Sequence, residues 1–422
     1  VVFSSSKYAV DTIIIFKKTI YEVTGMKVAI YSGAIPSTTF VEHLINGLGA
    51  NGVEVLLFGK YIKKYSPSHP NIKVYASPAN KFSNAVFVIK NLITLLISDY
   101  KTFKMLPEII KVCKIQSRAD KLLFLSRILP MLIHKPDIFH IQWAKTLQKF
   151  FWIKTLINAK VVVSLRGGQI NYSPVADIEL AESFRKYFPK VDHFHAVSES
   201  IVKEARQYGL NPDRASVIRP AVQKSLFSTP LKRSNKKESL SILSVGRFHW
   251  KKGYNFALDA MRILKNKNFL FQYTIVAGGE HEEILFQIHS LGLQDHVSIV
   301  HGLPHNEVIN KMKDSDLFLL PSVEEGIANV VLEAMAIGIP VVTTNCGGME
   351  EVIEDQINGF LVPVRDPDAI VAAVESYKTL SLDKLDKLRE NARQTIIQNH
   401  TIDNQVKAMK TLYEQVISQS HI

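Results

Sequence analysis

Apolar positions along this chain follow two alternating rhythms. Short β-branched runs, "KVAIYSG" from Lys27, then "VEVLLFG", "NIKVYA", "DIFHIQW", "KVVVSLRGG" and "HFHAVS", are separated by stretches with helical spacing. A second series opens with "LSILSVGRF" and continues through "QYTIVAGG", "VSIVHG", "DLFLLPS" and "PVVTTNCGG". Strands that are apolar throughout and end in Gly or Ser ahead of a helix predict parallel sheets covered on both faces. The expectation is an α/β protein of two doubly wound, Rossmann-like domains facing a cleft. Ligands of such sheets sit at the carboxyl ends of the strands.

The boundaries follow from the same pattern. Residues 1–25 precede the first strand-like run and lack the layout of a cleavable leader, because their apolar run is short and followed by Lys17 and Lys18. They read as an appendage, upstream of the natural start. Residues 26–222 form the first domain and 240–400 the second. The polar stretch 223–239, "QKSLFSTPLKRSNKKES", reads as a linker, and 401–422 as a closing amphipathic helix.

At 422 residues, two domains of ordinary size are expected, and 46% hydrophobic with 21% charged residues is a globular composition. Cys113 and Cys346 are far apart, which argues against a disulfide framework or a Cys-based zinc site and for a reducing cytoplasm. Charge changes the picture more. Residues 1–222 hold 30 Lys and Arg against 15 Asp and Glu, while the remainder holds 21 against 24. A basic half attracts nucleic acid or anionic lipid. No nucleic-acid-binding motif is present, so an anionic membrane surface is the expected partner and nucleic acid is not. "NAVFVIKNLITLLIS" (Asn84 to Ser98) is interrupted by Lys90 and shorter than the ~20 apolar residues of a span, so no segment is expected to cross a bilayer. The following stretch, 101–135, mixes Lys and Arg with Leu, Ile and Met, as a surface helix on headgroups would. The expected location is cytoplasmic and peripheral, at the inner face of the cytoplasmic membrane.

Candidate chemistry concentrates in "SVEEGIANVVLEAMAIGIPVVTT", Ser322 to Thr344, where Glu333 interrupts an apolar run. A buried, unpartnered carboxylate is very costly, so Glu333 needs a polar partner. The spacing predicts a loop at Glu324–Gly326 and a helix from near Ile327 to Ile337, stopped by Gly338 and Pro340. The start of that helix, at Ile327, Ala328 and Asn329, offers free amides and partial positive charge to a phosphate. Gly326 would let a ligand approach the backbone. Glu325 stands at the lip and Glu333 ~9–10 Å further along. A nucleotide sugar fits that layout, with sugar hydroxyls on Glu325 and ribose hydroxyls on Glu333.

"EGIANVVLEAMA" resembles the Glu-x7-Glu motif of retaining glycosyltransferases of family 4, which have the GT-B fold. "SVGRFHWKKG" is similar to the family's Gly-Arg…Lys-Gly strand end, and "TTNCGGMEEVIEDQINGFLVP" to its Gly-Gly…Glu-Val loop. "AVSES" and the closing helix fall in the family's order. The resemblance runs from Met26 onward and is densest from Leu240 to Pro363. It implies transfer from a nucleoside-diphosphate sugar to a glycan or lipid-linked glycan in cell-surface polysaccharide synthesis, of the lipopolysaccharide type, with retention and without metal or other cofactor. Arg247 and Lys252 would neutralise the diphosphate, and Glu325 would position the sugar; these three carry the catalytic role. It also implies that the closing helix returns to the first domain. Departures fall in the first domain. Arg166 of "SLRGG" replaces a frequent histidine, and Gln142 replaces another while His140 is kept; Arg166 and His140 are candidates to touch sugar or acceptor. The first loop, "SGAIPSTTF", has no Gly-Gly pair, though Gly33 and Ala34 could bring backbone near the phosphates.

Plainer readings compete. Asp314-Ser315-Asp316 reads as a polar turn ahead of a strand rather than a metal site, and His193 and His195 as strand alternation rather than zinc ligands. A nucleotide-sugar epimerase, a glycoside phosphorylase or a non-catalytic glycan- or lipid-binding relative would share the fold.

Overall fold

The computed structural model describes residues 25–112, 115, 117–231 and 235–419. The chain divides into two compact units that are discontinuous in sequence. One takes residues up to 164 with 186–195 and 406–422, the other 165–185 and 196–405.

The first sheet has seven strands: β1 (Lys27–Ile35), β2 (Glu54–Tyr61), β3 (Ile72–Ser77), β4 (Ile138–Ile141), β5 (Lys160–Leu165), β6 (His193–Ala196) and β7 (Ala215–Val217), in the order β3-β2-β1-β4-β5-β6-β7. The second has six: β8 (Leu240–Val245), β9 (Phe271–Val276), β10 (Val297–Val300), β11 (Leu317–Leu320), β12 (Val341–Thr344) and β13 (Phe360–Val362), in the order β10-β9-β8-β11-β12-β13. The sheets are parallel, as the apolar strand pattern requires. Strand order reverses between β1 and β4 in one sheet and between β8 and β11 in the other, and each reversal opens a crevice beyond the strand ends.

Period-two alternation shows clearly in β11. Leu317 and Leu319 join the core beneath the helix Tyr254–Asn266, while Phe318 and Leu320 join the core beneath the helix Asn329–Ile337. Both faces of the strand are therefore apolar, and burying each such side chain fully contributes ~1.5–3 kcal/mol.

The stretch 101–135, expected to lie on headgroups, divides instead. The helix Tyr100–Val112 exposes Lys101 and Lys104, but the helix Arg118–His134 buries Ser126 and Ile128–Leu132, so its C-terminal part belongs to the core. The helix before them, Lys81–Ser98, is 18 residues long and passes the length and composition test for a membrane span, Lys90 included, although Asn84, Val88 and Leu95 are buried against the protein. Cys113 lies outside the described residues. Cys346 is buried, and burial pushes its thiol up to about 12.

Candidate active site

Two loops meet beyond the strand reversal of the second sheet: 246–253 after β8 and 321–328 after β11. They are joined by backbone. Val323 N–H donates to Lys251 O at 2.7 Å, and Gly253 packs on Pro321 with φ +64°, where an added Cβ would stand 2.0 Å from the Pro321 carbonyl oxygen. Only glycine fits that position.

Glu325 is the centre of the junction. Its carboxylate is buried, accepts from Lys252 Nζ at 2.6 Å and Ser322 Oγ at 3.3 Å, and has Lys251 Nζ at 3.5 Å. Burial alone would raise its pKa, but the charges of Lys252 and Lys251 and the hydrogen bonds outweigh it, so the carboxyl titrates below its ordinary range and is ionised at neutral pH. Arg247 is exposed on the same loop. The concentration of cations is felt by His249, whose pKa is lowered first by burial and then by Lys251, Arg247 and Lys252.

A third loop fixes the backbone of this pair. Gly347, at φ +58°, lies against the Glu325 carbonyl so closely that a Cβ would stand 1.8 Å from it, and Gly348 N–H donates to Gly326 O at 2.7 Å. These are the two glycines of "TTNCGG". On another side, Asn171 donates to the Glu324 carboxylate and, at 3.3 Å, to Glu325 O. Glu324 is half-buried, and its pKa is raised, chiefly by that burial. Arg166 begins the segment that carries Asn171. Gly326 is not an opening for a ligand. The atoms nearest its missing side chain are Ile201, Val197 and Gly167 N, all within 3.2 Å of where a Cβ would be, so its small size serves packing of the protein itself.

The helix starts at Asn329, two residues later than the spacing predicts, because Ala328 is extended, Ile327 and Ala328 are buried in the core, and Ala328 N–H faces Met349 Sδ at 3.5 Å. No side chain caps its start. Its end is as predicted: Gly338 adopts φ +85°, and Arg389 and Arg393 donate to the terminal carbonyls of Ala336, Ile337 and Gly338. Glu333 is partnered by His305, whose Nε2 lies 2.9 Å from its Oε1; His305 comes from the neighbouring helix His305–Asp314. The pair raises the His305 pKa, chiefly through the hydrogen bond.

The acids Glu325 and Glu333, the cations Arg247 and Lys252, and the helix start at Ile327–Asn329 thus belong to one unit. Gly33 and Ala34 belong to the other. They form no open loop, since β1 continues through a bulge to Ile35 and pairs them with Gly59 and Lys60. His140 is wholly buried; Nδ1 meets Tyr413 Oη at 2.6 Å and Nε2 meets Ser164 Oγ at 2.8 Å. Both ring nitrogens are engaged inside the protein, so the expected sugar or acceptor contact has no free atom there. Asp316 supports the turn reading, accepting from Ser241 N–H at 2.9 Å and pairing with Lys237 at 3.0 Å. Among the described residues no cluster of three or more His, Cys, Asp or Glu is placed to hold a metal. A cavity of about 810 Å3 lies beside the acid pair rather than on it, lined by Phe248, Trp250, Tyr254, Phe256, Glu280 and Phe286 among others.

Sequence reasoning missed Lys251, Ser322, Asn171 and His305. Lys251 was visible in the Lys-Lys of "HWKKG", whereas Asn171 and His305 reach the site from distant segments and left no local signal.

The two parallel-sheet α/β units have the GT-B fold, which this chain shares with glycosyltransferases of known structure. Residues 37–226 match the family Glycosyltransferase Family 4 and residues 229–395 match Glycosyl transferases group 1. The putative colanic acid biosynthesis glycosyltransferase WcaL of Escherichia coli K12 is 31% identical over 259 residues, covering 60% of this chain and 63% of that protein. The amylovoran biosynthesis glycosyltransferase AmsK of Erwinia amylovora is 32% identical over 225 residues, covering 49% and 54%. The chain therefore spans less than two thirds of the length of these curated relatives. Among solved structures, Anabaena HepE in complex with UDP shares the fold at a TM-score of 0.68 and 16% identity, covering 92% of this chain and 100% of that one.

Proposed function

We propose that this chain is a retaining, metal-independent glycosyltransferase that moves a sugar from a nucleoside-diphosphate sugar to a glycan or lipid-linked glycan during cell-surface polysaccharide synthesis, at the cytoplasmic face of a membrane. The observation that carries the reading is the ionised, buried Glu325 held by Lys252 at the strand reversal. Arg247 stands on the same loop, and an uncapped helix start follows Gly326. That arrangement matches an electrically neutral sugar next to a dianionic diphosphate. Glu325 accepts hydrogen bonds from sugar hydroxyls, and Lys252, Arg247 and the helix amides meet the charge that grows on the leaving diphosphate. Such preorganised donors lower barriers of this kind. Glu333, at the far end, exchanges His305 for ribose hydroxyls. The colanic acid and amylovoran relatives support a polysaccharide product, and the UDP bound to HepE supports a nucleoside diphosphate as ligand.

The test is a turnover assay with a panel of nucleotide sugars and glycan acceptors. Nucleoside diphosphate should appear only when acceptor is present, and the product should keep the donor's anomeric configuration by NMR. Sugar interconversion without an acceptor would point to an epimerase, and release driven by inorganic phosphate to a phosphorylase.

A further inference from the structure

The helix Lys81–Ser98 carries a face that the protein leaves uncovered. Phe82, Val86, Ile89, Ile93, Leu96 and Ile97 are all exposed, Phe82 and Ile97 at 79%. At 100° per residue these six fall within one stripe about 100° wide. The buried residues of the same helix, Asn84, Val88 and Leu95, lie on the opposite side and pack against the unit. The stripe is continuous for the length of the helix, ~27 Å at 1.5 Å per residue. A contiguous apolar patch of this kind marks an interaction surface.

Charge says which partner fits. The helix contains no Asp or Glu, and exposed Lys81 and Lys90 flank the stripe. The next helix adds exposed Lys101, Lys104 and Lys111 against one exposed acid, Glu108, and Asp99 between the two helices is already neutralised by Lys135 at 2.6 Å. An apolar stripe bordered by ammonium groups complements a lipid surface with anionic headgroups, whereas a protein core would be expected to bring carboxylates. The helix does not span, because Asn84, Val88 and Leu95 fasten it to the protein along its length and only one side is free for lipid.

We propose that the exposed face of Lys81–Ser98 is an in-plane anchor that seats this unit in the interface of a membrane containing anionic phospholipid. The inference rests on the proposed transfer to a lipid-linked acceptor only in supplying the reason for the surface; the anchor itself follows from the stripe and its lysines. Phe82, Ile93 and Ile97 enter the acyl boundary, and Lys81, Lys90, Lys101 and Lys104 remain among the headgroups, so binding has an apolar part that salt does not remove.

The experiment is co-flotation of the full chain with vesicles of phosphatidylcholine, alone or mixed with equal parts of phosphatidylglycerol, at low and high salt. The wild type should float with the mixed vesicles and keep part of its binding at high salt. Ile93→Asp with Ile97→Asp should reduce binding at least about tenfold, since two large side chains lose their apolar burial. Both sites are exposed, so thermal unfolding should be unchanged, and nucleoside diphosphate release with a soluble glycan acceptor should stay at the wild-type rate. Lys90→Glu with Lys104→Glu should remove the preference for phosphatidylglycerol. Equal binding by wild type and Ile93→Asp/Ile97→Asp overturns the anchor, as does absence of flotation with a wild type that forms dimers through this face. An active enzyme that ignores vesicles refutes the anchor and leaves the glycosyltransferase reading; a protein that floats but turns over no donor does the reverse.

Discussion

Replacing Lys252 by methionine tests the electrostatics of the site without relying on turnover. The ammonium lies 2.6 Å from a Glu325 carboxylate that is 7% exposed, so its removal leaves a buried anion with Lys251 at 3.5 Å and Ser322 at 3.3 Å. Breaking a buried ion pair by deleting one partner costs ~3–5 kcal/mol. The remaining charged neighbour and hydrogen bond offset part of this, leaving about 2–3 kcal/mol. For a unit of this size that corresponds to a fall in Tm of about 4–12 °C, read by calorimetry or circular dichroism. The pH dependence carries the sign. Glu325 is held below its unfolded pKa in the wild type, so its contribution is present above about pH 4.5 and is lost as pH falls through the lower folded value. In Lys252→Met burial outweighs the remaining partners, the carboxyl is protonated more easily, and the difference in Tm from wild type shrinks toward pH 4. Adding Glu325→Gln to Lys252→Met should recover at least half of the loss at neutral pH. An unchanged Tm at pH 7, a difference that is the same at pH 7 and pH 4, or a double variant no more stable than Lys252→Met would refute a buried, Lys252-neutralised Glu325.

Further outcomes follow from the same contacts. The His305–Glu333 pair, with a His305 pKa above its ordinary value, stabilises fully below about pH 6.5 and fades as pH rises through the folded value. Since the imidazole is half exposed, His305→Gln should lower Tm by no more than about 1–2 °C at pH 6 and by less at pH 8, which paired melts would check. Gly253→Ala places a methyl group on the Pro321 carbonyl at positive φ and should destabilise the second unit by several kcal/mol or abolish soluble expression, measured by chemical denaturation. Asn171→Ala should leave the fold intact while slowing glycosyl transfer about tenfold, because the Glu324–Glu325 backbone loses its tether; steady-state kinetics with an unchanged melt would show it.

Sheets and strand ends were legible in the sequence because apolar runs of four to six residues closed by Gly or Ser have few other uses. The end of the helix Asn329–Ile337 was equally legible, since Gly338 can adopt positive φ and Pro340 cannot continue a helix. Its start was not, because Ile327 and Ala328 have the composition of helix but are held out of it by tertiary packing around Met349, with Ala328 extended. The same limit hid the partners of the acids. Glu333 announced that it needed a polar neighbour, yet His305 arrives from 28 residues away on another helix. Glu325 and Lys252 were each visible as ligand-facing residues, but their mutual ion pair depends on β8 and β11 being neighbours at the strand reversal, which topology alone decides. Lys90 broke the apolar run for a reader counting residues, whereas in three dimensions it sits beside the stripe and leaves the exposed face continuous.

A crystal structure of the chain with a bound nucleoside-diphosphate sugar measures directly where the donor sits. The diphosphate should lie against Arg247, Lys252 and the amides of Ile327–Asn329, with the sugar at Glu325 and the ribose at Glu333 in place of His305. A nucleotide found instead in the cavity lined by Phe248 and Phe286, away from both carboxylates, would contradict it.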